Sequence, residues 1–183
     1  MRIPLFLASV PFLVLGACRG RQEAVASAPS DSGAAAVQQS VPAPQQRAGH
    51  TYGSATDTVF FLLERTPCFG ACPSYRVSIG RNGSATYLGQ RFAPREGNFT
   101  GQVPANIMGL LVDRAQEIGF FDLQDVYDGP VTDLPSIIIR VNADGRDKKV
   151  KGRYQAPGTF KPFAAYADSL LSTVKWTEVP AEP

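Results

Sequence analysis

Two cysteines, Cys68 and Cys72, lie four positions apart in the stretch Arg65–Arg76, bracketed by Pro67 and Pro73. A pair at this spacing can serve as a structural clip, a redox couple or half of a metal site. The spacing is not the Cys-x-x-Cys arrangement in which a thiolate sits at a helix start. The residues that follow Pro73, Tyr75 to Ile79, read as a strand, so no helix dipole is on offer to lower a thiol pKa. A metal would need ligands beyond two sulfurs, and the only histidine, His50, falls in a segment read below as a solvated tether. These points favour a structural disulfide, with a thiol–disulfide redox role as the alternative and no metal or other cofactor. Closing a five-residue ring is worth about 2 kcal/mol in the chain-entropy model.

A second group is acidic: Asp122, Asp125, Asp128 and Asp133. Oxygen ligands on such a loop could hold calcium, which takes six to eight of them, but the spacing is not that of an EF-hand. Asp also favours loops by making turn hydrogen bonds, and that reading is preferred. Asp133 precedes Leu134-Pro135, and its expected role is to accept main-chain hydrogen bonds in the loop. A third group is basic. Lys149, Lys151 and Arg153 would share one face of a strand, with Lys148 nearby, and could meet anionic lipid head groups or an acidic wall polymer. Such a stripe also serves as a solvated face or a charged edge that blocks strand-to-strand association. Phe69, between the cysteines, is the remaining candidate for recognition. No Gly-x-Ser-x-Gly elbow is present, no histidine lies within the expected domain, and nothing singles out a carboxylate pair. No catalytic residues are expected.

The elements that must position these groups begin after a long leader. Residues 2–17 carry Arg2 and then an apolar run, the layout of a secretory signal peptide. The run ends in Leu15-Gly16-Ala17-Cys18, which resembles the lipobox of bacterial lipoproteins with its two small residues swapped. The resemblance implies cleavage after residue 17 and lipidation of Cys18, leaving two thiols in an oxidising compartment where disulfides persist. It places the protein in the cell envelope, bound to the membrane through its lipid. Arg19 rather than Asp follows the cysteine, which resembles lipoproteins passed to the outer membrane of a Gram-negative cell. The formal net charge of +2, one of whose cations leaves with the signal, gives no reason to expect nucleic acid as a partner.

From residue 18 to about 55 the chain is Ala, Ser, Gln, Pro and Gly with almost no large apolar side chain. Such a segment buries too little surface to offset its ordering entropy. After the lipidated cysteine, the roughly 36 residues from Arg19 to about Ser54 would act as a spacer with a root-mean-square reach of about 30–35 Å. A single globular domain is expected over residues 56–176, with a disordered tail at 177–183. Within it, Thr58–Glu64 reads as a strand apolar on both faces, hence central or well covered. Tyr75, Val77 and Ile79 alternate with polar residues, and Asn82-Gly83 signals a tight hairpin in which both residues tolerate positive φ. Further strands are read at Ser84–Gly89, Gly97–Gln102, Ser136–Asn142 and Lys148–Tyr154. Pro104 opens a helix with Ile107, Leu110, Leu111, Ala115 and Ile118 on one stripe, stopped by Gly119, with Phe120 and Phe121 plugging the core. A second helix follows Pro157-Gly158, with Phe160, Phe163, Ala164, Ala167, Leu170, Leu171 and Val174 on one face. The expected class is α+β: an antiparallel sheet of five to six strands with two helices on one face.

Cys68-Phe-Gly-Ala-Cys-Pro-Ser-Tyr75, then Asn82-Gly83 with Tyr87, Gly119-Phe120-Phe121 and Thr132-Asp133-Leu134-Pro135, occur in an order that resembles an uncharacterised bacterial family, the domain of unknown function 6438. The likeness spans about residues 57 to 176. It implies an exported protein or lipoprotein and brings no catalytic residues or ligand. The sequence therefore points to a non-catalytic binding or interaction module whose partner is an envelope protein or a cell-wall polymer.

Overall fold

Strand β1 (Val59–Arg65) runs through the middle of an eight-stranded sheet. It is flanked by β2 (Tyr75–Gly80) and β6 (Ile137–Ala143), both antiparallel to it. The computed structural model describes residues 49–180. The expected signal peptide, Cys18, most of the tether and the last three residues lie outside them. The remaining strands are β3 (Ser84–Gly89), β4 (Gly97–Gln102), β5 (Val126–Tyr127), β7 (Arg146–Gly152) and β8 (Trp176–Glu178). Their order across the sheet is β5-β7-β6-β1-β2-β3-β4-β8.

The class is α+β with two helices, as expected, but the sheet is larger and it is mixed. The β5–β7 pairing is parallel. The two additional strands are the two edges, and both are too short for periodicity to reveal them. One of them, β8, takes up residues expected in the disordered tail by pairing with β4.

Local chemistry accounts for the shape of the sheet. The register slips between Val59 and Phe61, a bulge that lets consecutive Phe60 and Phe61 both become fully buried. The turn after β2 is closed by the Gly83 N–H donating to the Gly80 carbonyl at 2.9 Å. Only Gly83 takes positive φ there, at 81°, so this is not the two-residue turn that Asn82-Gly83 suggests; the Asn82 carboxamide instead accepts from the Ser84 N–H. The two-residue form is found between β6 and β7. There Ala143 pairs directly with Arg146, and Asp144 and Gly145 both have positive φ, 52° and 72°.

Helices α1 (Ala105–Glu117) and α2 (Phe160–Ser172) pack against each other and against β6. Their buried stripes, Ile107–Met108–Leu111–Val112–Ala115 and Phe160–Phe163–Ala164–Ala167–Leu171, meet the inward residues of β1, β2 and β6. Phe120, in a 3-10 turn after α1, is fully buried against Phe163. No helix among the described residues is long and apolar enough to cross a membrane.

Residues 50–52, read from sequence as the end of the tether, contact the domain. Tyr52 bridges to Ala143 and its ring packs edge-on against Phe60. His50, expected to be solvated, is only 15% exposed and is held between two carboxylates, Asp144 at 2.8 Å and Asp113 at 3.0 Å. Its low apparent interest came from composition: the residues before it are those of a tether, and its partners are distant in sequence.

Candidate functional site

One row of paired residues ends the core. Gly152 of β7, Ile137 of β6, Arg65 of β1, Tyr75 of β2 and Gly89 of β3 are successive partners across five strands. The neighbouring row (Val150, Ile139, Leu63, Val77, Tyr87) is buried and, except for the tyrosine hydroxyl, apolar. Strand alternation therefore delivers Arg65 and Tyr75 to the helix-covered face just where apolar side chains stop. From the other side α2 supplies Asp168, one turn beyond Ala164 on the same stripe.

These three groups form one network. The Arg65 guanidinium donates through Nη2 to Asp168 at 2.6 Å and through Nε to the Tyr75 hydroxyl at 2.8 Å. The Tyr75 hydroxyl in turn donates to the other Asp168 oxygen. Burial pushes the Tyr75 pKa well above the usual tyrosine range, and the bond to the Asp168 carboxylate pushes it further in the same direction. Burial opposes the charge on Arg65, but Asp168 and Tyr75 outweigh it and raise its pKa. The tyrosine thus stays protonated and the arginine charged.

Behind the network lies a cavity of about 540 Å³, within the range of small-molecule sites. Tyr75 and Tyr87 stack with ring centroids 5.5 Å apart and an interplanar angle of 11°. Trp176 lies 5.5 Å from Tyr87 on its other flank, its indole N–H donating to the Leu171 carbonyl at 3.1 Å. Pro73, Pro94 and Pro135 complete apolar walls, and Arg95, Arg153 and Lys161 add cations. The Tyr87 hydroxyl is the unusual group. Tyr87 is 6% exposed and its oxygen has no well-formed hydrogen bond. Burial raises its pKa, and the Arg95 main chain and the Arg95 charge oppose that only in part. That oxygen is shielded from solvent, so Tyr87 lines the cavity through its ring rather than its hydroxyl.

The residues singled out from sequence do not converge on one place. Cys68 and Cys72 are joined by a disulfide, Cα–Cα 5.7 Å, in a segment with no helix, and Cys72 reaches the cavity wall. Phe69 between them is 92% exposed. Lys149 and Lys151 project from the sheet face opposite the helices, as partners of Arg140 and Ile138. Arg153 does not continue that stripe, because β7 ends at Gly152. It instead pairs with Asp128 at 2.6 Å and lines the cavity.

The acidic loop is neutralised by the same strand. Asp125 pairs with Lys148 at 2.6 Å, and Asp128 also faces Lys151 at 3.8 Å. The Arg153 bond and the Gly129 N–H hold the Asp128 pKa below the usual carboxylate range. Asp133 accepts from the Thr132 hydroxyl at 3.0 Å rather than from the main chain. Among the described residues no group of His, Cys, Asp or Glu is placed to hold a metal ion.

The model of the family described as Domain of unknown function (DUF6438) matches residues 59–171, from the first residue of β1 to the last turn of α2. The chain belongs to that family. No curated protein and no solved structure matches it. All three members of the Arg65–Tyr75–Asp168 network fall inside the DUF6438 match, and Trp176, which closes one wall, lies just beyond it.

Sequence reading passed over this network, although each member carries a signal. Arg65 interrupts the inward alternation Phe61, Leu63. Asp168 interrupts the apolar stripe Phe160, Ala164, Leu171. Tyr75 is the polar-tipped first member of Tyr75, Val77, Ile79. A charge on a buried stripe and another on a facing stripe are the trace that such a pair leaves.

Proposed function

We propose that this DUF6438 domain is a non-catalytic binding module of a cell-envelope lipoprotein, held out from the membrane on a leash, and that the cavity beside Arg65, Tyr75 and Asp168 is where it binds. The observation that carries this reading is a concave wall formed by the rings of Tyr75, Tyr87 and Trp176, with Arg95 and Lys161 in its lining. An aromatic, apolar cavity with a few charged groups set into it is the usual form of a small-molecule site. Absence of catalysis is supported by the state of the polar side chains there. Tyr75 is held protonated, Arg65 is held charged, and Asp168 already accepts from both. The one histidine lies at the far end of β6, against Asp144.

The chain's single tryptophan lines the cavity and reports on its occupancy. A small-molecule extract of the cell envelope should change Trp176 emission saturably in the wild-type domain. A flat response across fractions, with the domain folded, contradicts the binding reading. The anchor is tested separately: Cys18→Ala should release the protein from the membrane fraction, and retention there contradicts lipidation.

The alternative, a thiol–disulfide protein, draws on Cys72 lining the cavity. A reduction potential below about −300 mV marks an inert structural bond, and one near those of oxidoreductases favours the redox reading.

A further inference from the structure

Charge is distributed unevenly around the cavity, and the imbalance decides what it can hold. Four cations line it, Arg65, Arg95, Arg153 and Lys161, against one carboxylate, Asp168. Two of these cations are already neutralised. Arg65 is consumed by Asp168, and Arg153 by Asp128, which is not itself part of the wall. Arg95 and Lys161 make no ion pair among the described residues. They come from opposite sides, Arg95 from the loop between β3 and β4 and Lys161 from the first turn of α2. The Asp168 carboxylate, in contrast, has both oxygens engaged by Arg65 and Tyr75. The wall therefore offers two uncommitted cations, and its only acid is already bound to donors. Most of the rest of the surface is aromatic, aliphatic and proline carbon.

We propose that the cavity takes an organic anion: a single acidic group, carboxylate or phosphate, carried on an apolar body. The acidic group would sit between Arg95 and Lys161, and the body would lie along Tyr75, Tyr87 and Trp176. A neutral apolar molecule leaves the cations unanswered. A cation meets like charges, since the one carboxylate is not free to pair with it. This inference rests on the reading of the cavity as the binding site and adds the class of ligand.

The test uses two fluorescent probes with the same aromatic body. 1-Anilinonaphthalene-8-sulfonate carries an anionic group, and N-phenyl-1-naphthylamine lacks it. Both accept energy from tryptophan, so excitation of Trp176 reports binding near the cavity rather than elsewhere. The anionic probe should bind at least about tenfold more tightly, a difference of about 1.4 kcal/mol. Its affinity should fall by about tenfold in the double variant Arg95→Gln, Lys161→Gln and weaken with added salt. Because neither side chain makes an ion pair, the thermal unfolding temperature of that variant should match the wild type, and this separates lost binding from lost fold.

Equal binding of both probes, unaffected by the double variant, overturns the anion class while leaving the cavity as a binding site. Failure of both probes to bind the folded domain overturns both. Once the anionic probe is bound, competition by a short-chain alkyl carboxylate against the matching alkyl phosphate tells which acid is preferred. Failure of both competitors to displace it also counts against the proposal.

Discussion

The main-chain carbonyl of Arg95 occupies the space that a β-carbon on Gly89 would need, 1.7 Å from its ideal position. The loop after β3 is thereby folded back onto the strand it leaves, and this places Pro94 and Arg95 on the cavity wall. A Cβ at this position would also lie 2.9 Å from the Tyr87 ring, so loop and floor are fitted through one missing side chain. Gly89→Ala should destabilise the domain by about 1–3 kcal/mol, because backbone rather than a flexible side chain must give way. Urea unfolding measures the loss. If the loop yields instead of the fold, the unfolding midpoint stays near wild type, and limited proteolysis should then cut within residues 90–96.

The Arg65–Asp168 bond ought to matter more than the exposed pair it resembles. Asp168→Ala leaves a half-buried guanidinium and a protonated tyrosine without their shared acceptor. A loss of about 2 kcal/mol is expected for a hydrogen-bonded charge of this exposure. Arg76, which meets Glu64 at 2.8 Å and is itself 55% exposed, should cost at most about 1 kcal/mol when changed to Ala. Chemical unfolding of both variants compares the two directly. Equal losses would mean that burial adds nothing to the network.

The sequence revealed the frame of this domain well and its site poorly, for one physical reason. Periodicity reports long elements with one buried face, so β1 to β4, β6, β7 and both helices were legible. It is silent on two- and three-residue edges such as β5 and β8. The site is assembled from single exceptions on different elements, Arg65 on a strand and Asp168 on a helix, 103 residues apart. Neither is informative until the fold brings the two stripes together. The conspicuous clusters misled for the converse reason: each is a run of like charges in sequence, and the fold pairs the acidic run with the basic one, Asp125 with Lys148 and Asp128 with Arg153, across β5 and β7.

His50 should give the domain a pH-dependent latch. Burial lowers its pKa, but the bonds to Asp144 and Asp113 outweigh that, and the net shift is upward from the ordinary 6.5. The stabilisation is therefore complete below pH 6.5 and is lost as pH rises through the folded-state value. Burial opposes the charge on Asp144, yet the Thr51 N–H and His50 hold its pKa below 3.8, so its share is lost only as pH falls through that lower value. Thermal unfolding followed from about pH 5 to about pH 9 should show a loss of about 1 kcal/mol in the wild type. His50→Gln should flatten the curve in this window. An unchanged curve in the variant would assign the dependence to another group.

The disulfide should act as a brace alone. Cys68→Ser with Cys72→Ser is expected to cost about 2 kcal/mol, the amount set by closing a short ring in the unfolded chain. The bond closes residues 68–72. Serine keeps the size of Cys72 on the wall while the acidic group is placed against Arg95 and Lys161, so the loss should appear in stability and not in the affinity of the cavity for the anionic probe. Unchanged affinity in the folded double variant fits a brace. A large loss of affinity at unchanged stability would make the bond part of the binding surface.

Strand β8 carries the last prediction, because Trp176 belongs to the cavity though it lies past the end of the family match. Its ring covers the flank of Tyr87, its indole N–H is tied to the last turn of α2, and the strand it begins pairs with β4. Trp176→Ala should cost about 2–3 kcal/mol, less than a fully buried tryptophan because the side chain is only partly covered. Trp176→Phe keeps an aromatic wall while losing the hydrogen bond, and should recover most of that stability. Binding, followed by isothermal titration since the reporter is gone, should fall in the Ala variant and be largely restored in the Phe variant. Restoration of stability without restoration of binding would place the ligand against the indole nitrogen itself rather than against an aromatic face.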